Sequence, residues 1–350
     1  MFLPKITEAD LKDKRVLLRA DLDVDQPNDK DQRLIVTSQT VKFLLEKGAK
    51  VIILGHKGRP EGKVDNKFSL KSVSEVLSKL IGHEIKFIYD IAGAEAHEEA
   101  GKLQNGEVMM VENLRFDSRE EGNDESFAKS LSELGEMYVN EAFASSHRKH
   151  ASITGIPKFL PHAAGIRFES EIKNLSLVFE NPKRPLLFII SGLKEDKLTY
   201  VKSFESLADK ILIGGRLPEL LGDKALESVR LQNGKVITGN LVMDKEDITL
   251  NTIEVFEKEI VKAGTIVVSG PLGKFEEDGH RQGTERVYKA VAASAAYKIA
   301  GGGDTEAALN LFNLTEKFDW VSVGGGAMLE FLSQKTLPGI EALINENGEK

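Results

Sequence analysis

The sequence predicts a two-lobe α/β protein, each lobe a Rossmann-like parallel sheet flanked by helices, with a helix and hinge joining them. Three observations predict it. Short apolar runs alternate with amphipathic helical patterns along the whole 350-residue chain. That alternation is the mark of βαβ units whose sheets are covered on both faces. A chain of this length makes about two domains at roughly 100–200 residues each. Near its middle, Phe168, Ile172, Leu175 and Phe179 fall on one helical face, and Asn181-Pro182 stops the pattern, because proline removes a backbone donor and clashes with the preceding turn.

In order, the first half offers apolar strands at 16–18, 51–54, 85–88, 108–111 and 137–139, with helical patterns at 37–47, 70–81 and 124–134. The bridging helix follows at 167–181. The second half offers strands at 186–190, 211–213, 266–268, 296–299 and 320–323, with helices at 249–261, 282–296 and 305–311. The expected division is a first lobe at 1–166, the bridge, and a second lobe at 182–334. A tail at 335–350 carries Pro338-Gly339 and an apolar patch of Ile340, Leu343 and Ile344, suited to docking on a neighbouring lobe. The clearest loops are 27–32 and 58–66.

Composition narrows the function. Hydrophobic content of 41% and charged content of 29% are those of an ordinary soluble globular protein. No apolar run approaches the ~20 residues of a membrane span, and the N-terminus turns acidic too soon for a secretory signal. A cytoplasmic location fits. The chain has no cysteine, which excludes disulfides, thiolate chemistry and cysteine–zinc sites. A net charge of −8 argues against nucleic-acid binding.

Parallel sheets bind ligands at the carboxyl ends of their strands, so the turns after the strands should carry the chemistry. In the first half those turns deliver Asp21 and Asp23, then His56 and Arg59, then Arg115, then His147, Arg148 and His150. Arg33 is read as lying in the loop after the first strand. Each arginine alone reads best as a solvated surface residue. Together at strand ends they suggest a site for a small polyanion, which guanidinium groups bind bidentately. His83, His97 and His162 lack such context and read as ordinary histidines. In the second half the turns read SGLKEDK, GGR, SGPLGKFE, AGGGDT and GGGAM. Glycine lets backbone approach a phosphate, and the next helix start adds a favourable dipole. Asp304 could cap a helix or hold Mg²⁺ beside phosphates. Lys194 and Lys197 are free to reach phosphate oxygens. Neither G-x-G-x-x-G after a strand nor G-x-x-x-x-G-K-[ST] is present, which weighs against a dinucleotide dehydrogenase and a P-loop enzyme.

RADLDV, GHKGRP, ENLRF, VNEAFASSHRKHAS, the bridging helix, SGPLGKFE, GGGDT and SVGGGAMLE occur in this order. The set resembles the phosphoglycerate kinase family, from about Arg15 to Gly339. The resemblance implies phosphoryl transfer between 1,3-bisphosphoglycerate and ADP, giving 3-phosphoglycerate and ATP, with Mg²⁺, in a monomer whose lobes close about a hinge. It implies that Asp21, Asp23, Arg33, His56, Arg59, Arg115 and Arg148 hold phosphoglycerate. Lys194 would follow the transferring group and Lys197 would lie nearer the nucleotide phosphates. Gly192, Gly214, Gly215, Pro271, Gly273, Glu276, Gly303 and Thr305 would line the nucleotide site, with Asp304 on the metal. Arg33, Lys194, Gly302 and Gly325 are the expected catalytic set. The C-terminal tail would return to the first lobe.

The sequence departs from the family pattern in places. Asp23 replaces an asparagine, SGLKEDK is one residue shorter between its lysines, Arg216 stands among small residues, and Lys274 replaces a valine. The stretch from Gly215 to Ser269 is short. These departures leave two alternatives: a family member kept for binding or regulation, or a kinase for another acyl phosphate.

Overall fold

The computed structural model describes residues 3–220 and 234–344. The chain divides into two compact units, residues up to Ile172 with those from Thr336 onward, and Lys173–Lys335. The division falls inside one continuous helix, Ile166–Glu180, which starts one residue earlier than the apolar periodicity suggested. Part of the shortened stretch, 221–233, and the end of the tail, 345–350, lie outside the described residues.

Each unit holds a six-stranded parallel sheet. In the first, β1 (Arg15–Arg19), β2 (Lys50–Leu54), β3 (Ile85–Ile88), β4 (Val108–Val111), β5 (Met137–Asn140) and β6 (His162–Ala164) run in the order β3-β4-β2-β1-β5-β6. In the second, β7 (Leu186–Ile190), β8 (Lys210–Ile213), β9 (Val236–Thr238), β10 (Thr265–Ser269), β11 (Tyr297–Gly301) and β12 (Trp320–Ser322) run in the order β12-β11-β10-β7-β8-β9. Central strands such as VIIL at 51–54 and LLFII at 186–190 are buried along their length, as strands covered on both faces must be. Helices seal those faces: Val41 and Leu44 of Gln32–Glu46 and Val73 and Leu77 of Lys71–Ile81 join the first core. Ile253 and Phe256 of Leu250–Ile260 and Val287 and Val291 of Gln282–Ala293 join the second.

The order reverses direction between β1 and β5 in one sheet and between β7 and β10 in the other. Connections leave such a point in opposite directions and open a crevice at the strand carboxyl ends. The two crevices therefore fall where RADLDVD meets NEAFASSHR, and where SGLK meets SGPLG.

Several boundaries differ from expectation. β6 and β9 were not anticipated; both are three-residue edge strands, too short to show a period. The strand expected at 296–299 is shifted to Tyr297–Gly301, and the helix expected to reach 296 ends at Ala293. Arg33 is not in a loop. It occupies the first turn of Gln32–Glu46, because the Asp31 carboxylate accepts from the amides of Arg33 and Leu34 and starts the helix ahead of its apolar stripe. The tail forms a helix, Pro338–Ile344, that buries Ile340 and Leu343 in the first unit. The Gly339 amide there donates to the carbonyl of Ser146 at 2.9 Å.

Candidate active site

The first unit's crevice is stitched by carboxylates. Asp21, at the end of β1, accepts from the Ala144 amide at 2.9 Å and the Ser145 hydroxyl at 3.1 Å, so it ties the β1 turn to the β5 turn. Burial pushes its carboxyl up, while the charges of Arg33 and Arg19 pull it down. Asp23 accepts from the Gly58 amide at 2.7 Å, joining the β1 and β2 turns. Its carbonyl accepts from Arg33 Nη1, which sets the guanidinium at the mouth of the crevice.

Around these turns the cations gather. Arg115 is buried, donates to the carbonyl of Gly58 at 2.7 Å, and has Glu121 at 3.3 Å from its Nε. Burial pushes it down to about 10, and the charges of Arg148 and Arg19 act in the same direction, against Glu121. Arg148 is half-buried and lowered by burial first and by Arg59 next. Arg59 itself is exposed. The charges of Arg19, Arg59 and Arg148 thus raise the electrostatic cost of keeping Arg115 and Arg148 charged. A bound polyanion would relieve that cost, because opposite charge favours the charged form.

His56 was expected among the residues that hold the phosphoglycerate. It is buried, and its Nδ1 lies 2.8 Å from Nη2 of Arg19. Burial, then the charge of Arg19, holds it well below the usual histidine range, so the ring is neutral. Its Nε2 lies 3.9 Å from the Asp23 carboxylate. Sequence reasoning missed Arg19 and its support. Arg19 closes an apolar strand, where a cation looks like an ordinary strand end. Yet it is fully buried and donates to the Ser152 hydroxyl at 2.8 Å. Ser152 in turn donates its hydroxyl and its amide to Glu120, also fully buried.

The second unit's crevice is a cleft of about 410 Å³, walled by Gly192 and Leu193 after β7, Gly215 and Arg216 after β8, Pro271 to Glu277 after β10, and Asp304 after β11. Gly192, Gly215, Pro271, Gly273, Glu276 and Asp304 are brought together on its wall. The backbone there is crowded: a Cβ on Gly215 would lie 2.5 Å from the Gly192 amide nitrogen. Arg216 and Lys274 also face the cleft. Arg216 is held by Glu219 at 3.1 Å and Lys274 by Glu277 at 2.5 Å.

Other expected residues sit behind the wall. Thr305 is buried; its hydroxyl accepts from the Gly270 amide at 2.8 Å and donates to the carbonyl of Gly301 at 3.0 Å. Lys197 is not free. Its ammonium donates to the carbonyls of Ser191 at 2.7 Å and Ser269 at 3.4 Å, lashing the ends of β7 and β10 together. Burial pushes it down to about 8, against the attraction of Asp304. Lys194, by contrast, is exposed on the loop after β7. Asp304 is not a cap: the helix Gly303–Leu311 starts one residue before it, from Gly302 with φ of 109°. Its exposed carboxylate is left beside the cleft. Gly325 begins the next helix, Gly325–Gln334, so close that a Cβ on it would lie 2.6 Å from the Gly302 Cα.

A two-unit parallel α/β protein, with a cation-rich crevice on one sheet and a glycine-walled cleft on the other, has the layout of a phosphotransferase. The comparisons give the family. A sequence model described as phosphoglycerate kinase matches residues 6–226 and 223–335. The phosphoglycerate kinase of Coprothermobacter proteolyticus is 36% identical over 392 aligned positions, covering 99% of this chain and all of that protein. The alignment is longer than the 350-residue chain, so that relative carries insertions this chain lacks. The solved phosphoglycerate kinase of Coxiella burnetii superposes with a TM-score of 0.80 at 32% identity, covering 98% of this chain and 99% of that one. That of Pyrococcus horikoshii superposes with a TM-score of 0.86 at 29% identity, covering 98% of each. The chain belongs to the phosphoglycerate kinase family.

Proposed function

We propose that the protein transfers a phosphoryl group reversibly between 1,3-bisphosphoglycerate and ADP, yielding 3-phosphoglycerate and ATP. The observation that carries this reading is the mutual crowding of Arg19, Arg59, Arg115 and Arg148 at one sheet edge, in a chain that belongs to this family along nearly its whole length. Arg115 and Arg148 are lowered by burial and by the cations around them, a setting that calls for a polyanionic ligand, and 3-phosphoglycerate is one.

Phosphoryl transfer asks the protein for position and charge neutralisation more than for covalent chemistry. Arg33, Arg59, Arg115 and Arg148 bind and orient the phosphoglycerate, and Arg33 neutralises charge that develops on the transferring group. Lys194 is the exposed cation on the loop after β7 and follows that group. The glycines after β7, β8 and β11 bring backbone close to the nucleotide, and Gly302, Gly303 and Gly325 open helices whose amides face the phosphates. The exposed carboxylate of Asp304 would suit a Mg²⁺ that takes most of its oxygens from nucleotide phosphates and water. When bound, Mg²⁺ supplies charge neutralisation on the phosphates.

The test is a coupled assay with 3-phosphoglycerate, ATP and Mg²⁺, run beside calorimetric binding of 3-phosphoglycerate. Turnover supports the reading. Binding of 3-phosphoglycerate without turnover overturns it in favour of a binding role, and turnover only with another phosphorylated acid reassigns the substrate.

A further inference from the structure

We propose that Arg19 is a positioning residue: it fixes His56 as the Nε2–H tautomer and so turns a ring N–H toward the anion crevice. The inference rests on reading that crevice as the acceptor site.

The argument is one of donors and acceptors. A guanidinium has five N–H groups and no acceptor. Arg19 Nη2 stands 2.8 Å from His56 Nδ1, so Nδ1 must present its lone pair. A proton on Nδ1 would set two donors head to head in a site sealed from water. A neutral imidazole carries one proton, which leaves it on Nε2. That atom points to the turn where the Asp23 carboxylate lies 3.9 Å away, beyond a hydrogen bond. The N–H is thus available to an incoming oxygen between His56 and Asp23.

Arg19 can impose this choice because it has no freedom of its own. Its Nε donates to the Ser152 hydroxyl and its Nη1 to the carbonyl of Ala20. Ser152 is held by both oxygens of Glu120, through its amide at 2.9 Å and its hydroxyl at 2.5 Å. The carbonyl of Ser152 accepts from the Tyr138 hydroxyl at 2.7 Å. The buried chain Glu120–Ser152–Arg19–His56 therefore carries a fixed geometry from the core to the ligand. The ordinary alternative is that Arg19 is a buried strand-end cation whose contact with His56 is incidental.

The full-length protein labelled with ¹⁵N decides between them by long-range correlation of ring protons to ring nitrogens, with His56 assigned from the signals lost in His56→Gln. The expected result is a pyridine-like Nδ1 and a pyrrole-like Nε2 in the wild type. Arg19→Met should give a mixture or the reverse tautomer and raise the KM for 3-phosphoglycerate about tenfold or more, with a smaller change in kcat. Arg19→Lys, which keeps a donor, should restore part of both. A protonated Nδ1 in the wild type overturns the proposal, and so does an unchanged tautomer in Arg19→Met. The wild-type spectrum, assigned through His56→Gln, does not depend on Arg19→Met folding. If 3-phosphoglycerate fails to bind by calorimetry while the spectrum is as expected, it is the acceptor-site reading that fails and not the tautomer.

Discussion

Asp23 is a residue whose chemistry runs against its surroundings. One carboxylate oxygen accepts from the Gly58 amide, and the other faces the crevice from 3.9 Å beyond His56 Nε2. An anion arriving there meets a like charge. Two unit charges ~4 Å apart repel by about 1 kcal/mol in water and about 4 kcal/mol at an effective dielectric of 20. Asparagine would keep an acceptor for Gly58 and turn the second position into a donor. Asp23→Asn is therefore expected to tighten 3-phosphoglycerate binding by roughly one to three decades, measured by calorimetry. Weaker or equal binding would mean that the substrate brings its own donor to Asp23. The two lysines of the second unit make the opposite contrast. Lys194→Ala should lower kcat and leave the melting temperature alone. Lys197→Ala strips a donor from the Ser191 and Ser269 carbonyls and should cost about 1–3 kcal/mol of stability, read in a denaturant titration. Equal stability of the two variants would refute the structural role of Lys197.

At the scale of elements, two helix starts meet at Gly302 and Gly325. The helices Gly303–Leu311 and Gly325–Gln334 begin within van der Waals reach of each other's backbone, so two positive dipole ends converge on one spot. Only glycine permits it. A Cβ on residue 325 would sit 2.6 Å from the Gly302 Cα and 3.0 Å from its nitrogen, and neither neighbour is a flexible side chain. Gly325→Ala should then push the two helix starts apart, cost about 1–3 kcal/mol from overpacking, and lower kcat far more than it lowers melting temperature. An alanine variant with full turnover would show that the convergence is not used. The glycine runs after strands were legible in the sequence, as were the other ten strands, most of which are buried along their length and so leave an apolar run. The rest was not. β6 and β9 are three-residue edges with no period to read. Asp31 starts a helix before its apolar stripe begins, which hid the setting of Arg33. Asp304 lost its capping role because the helix begins at the glycine before it. The buried partnership of Arg19, Ser152 and Glu120 joins residues far apart in sequence, and Lys197 is held by backbone carbonyls that no side-chain pattern announces.

For the whole molecule, the anion site is also a store of pH sensitivity. His150 is buried beside the arginines, and burial, then Arg115, Arg19 and Arg148, push it down to about 3. His56 is lowered in the same direction. A folded histidine held neutral means that, below its ordinary pKa of about 6.5, the unfolded chain takes up a proton that the folded chain refuses. Stability contributed by the group is complete above that value and falls as the solution becomes more acidic. His280 works the other way. Bonds to Asp244 first and Glu277 after raise it, so its contribution is present below about 6.5 and fades as pH rises through the raised value. Buried Glu141, pushed up to about 7 by burial, likewise loses stability with rising pH between its unfolded value and that one. Because these terms overlap, the bare pH profile of the protein does not isolate any of them, whereas a difference between two proteins does. Replacing His150 by Gln removes one term and leaves the others common to both. At pH 5 the wild type bears a linkage cost from His150 of about 2 kcal/mol, some 1.5 units of pH below its unfolded pKa at about 1.4 kcal/mol each, and at pH 7.5 almost none. Whatever packing the substitution loses is the same at both values. His150→Gln should therefore gain about 2 kcal/mol on the wild type between pH 7.5 and pH 5, followed by urea unfolding at each pH. A difference that stays constant across that range would mean that His150 takes its proton in the folded state, with Glu120 at 3.8 Å as its counter-charge, and that the buried carboxylate rather than the arginines governs the charge at the base of the anion site.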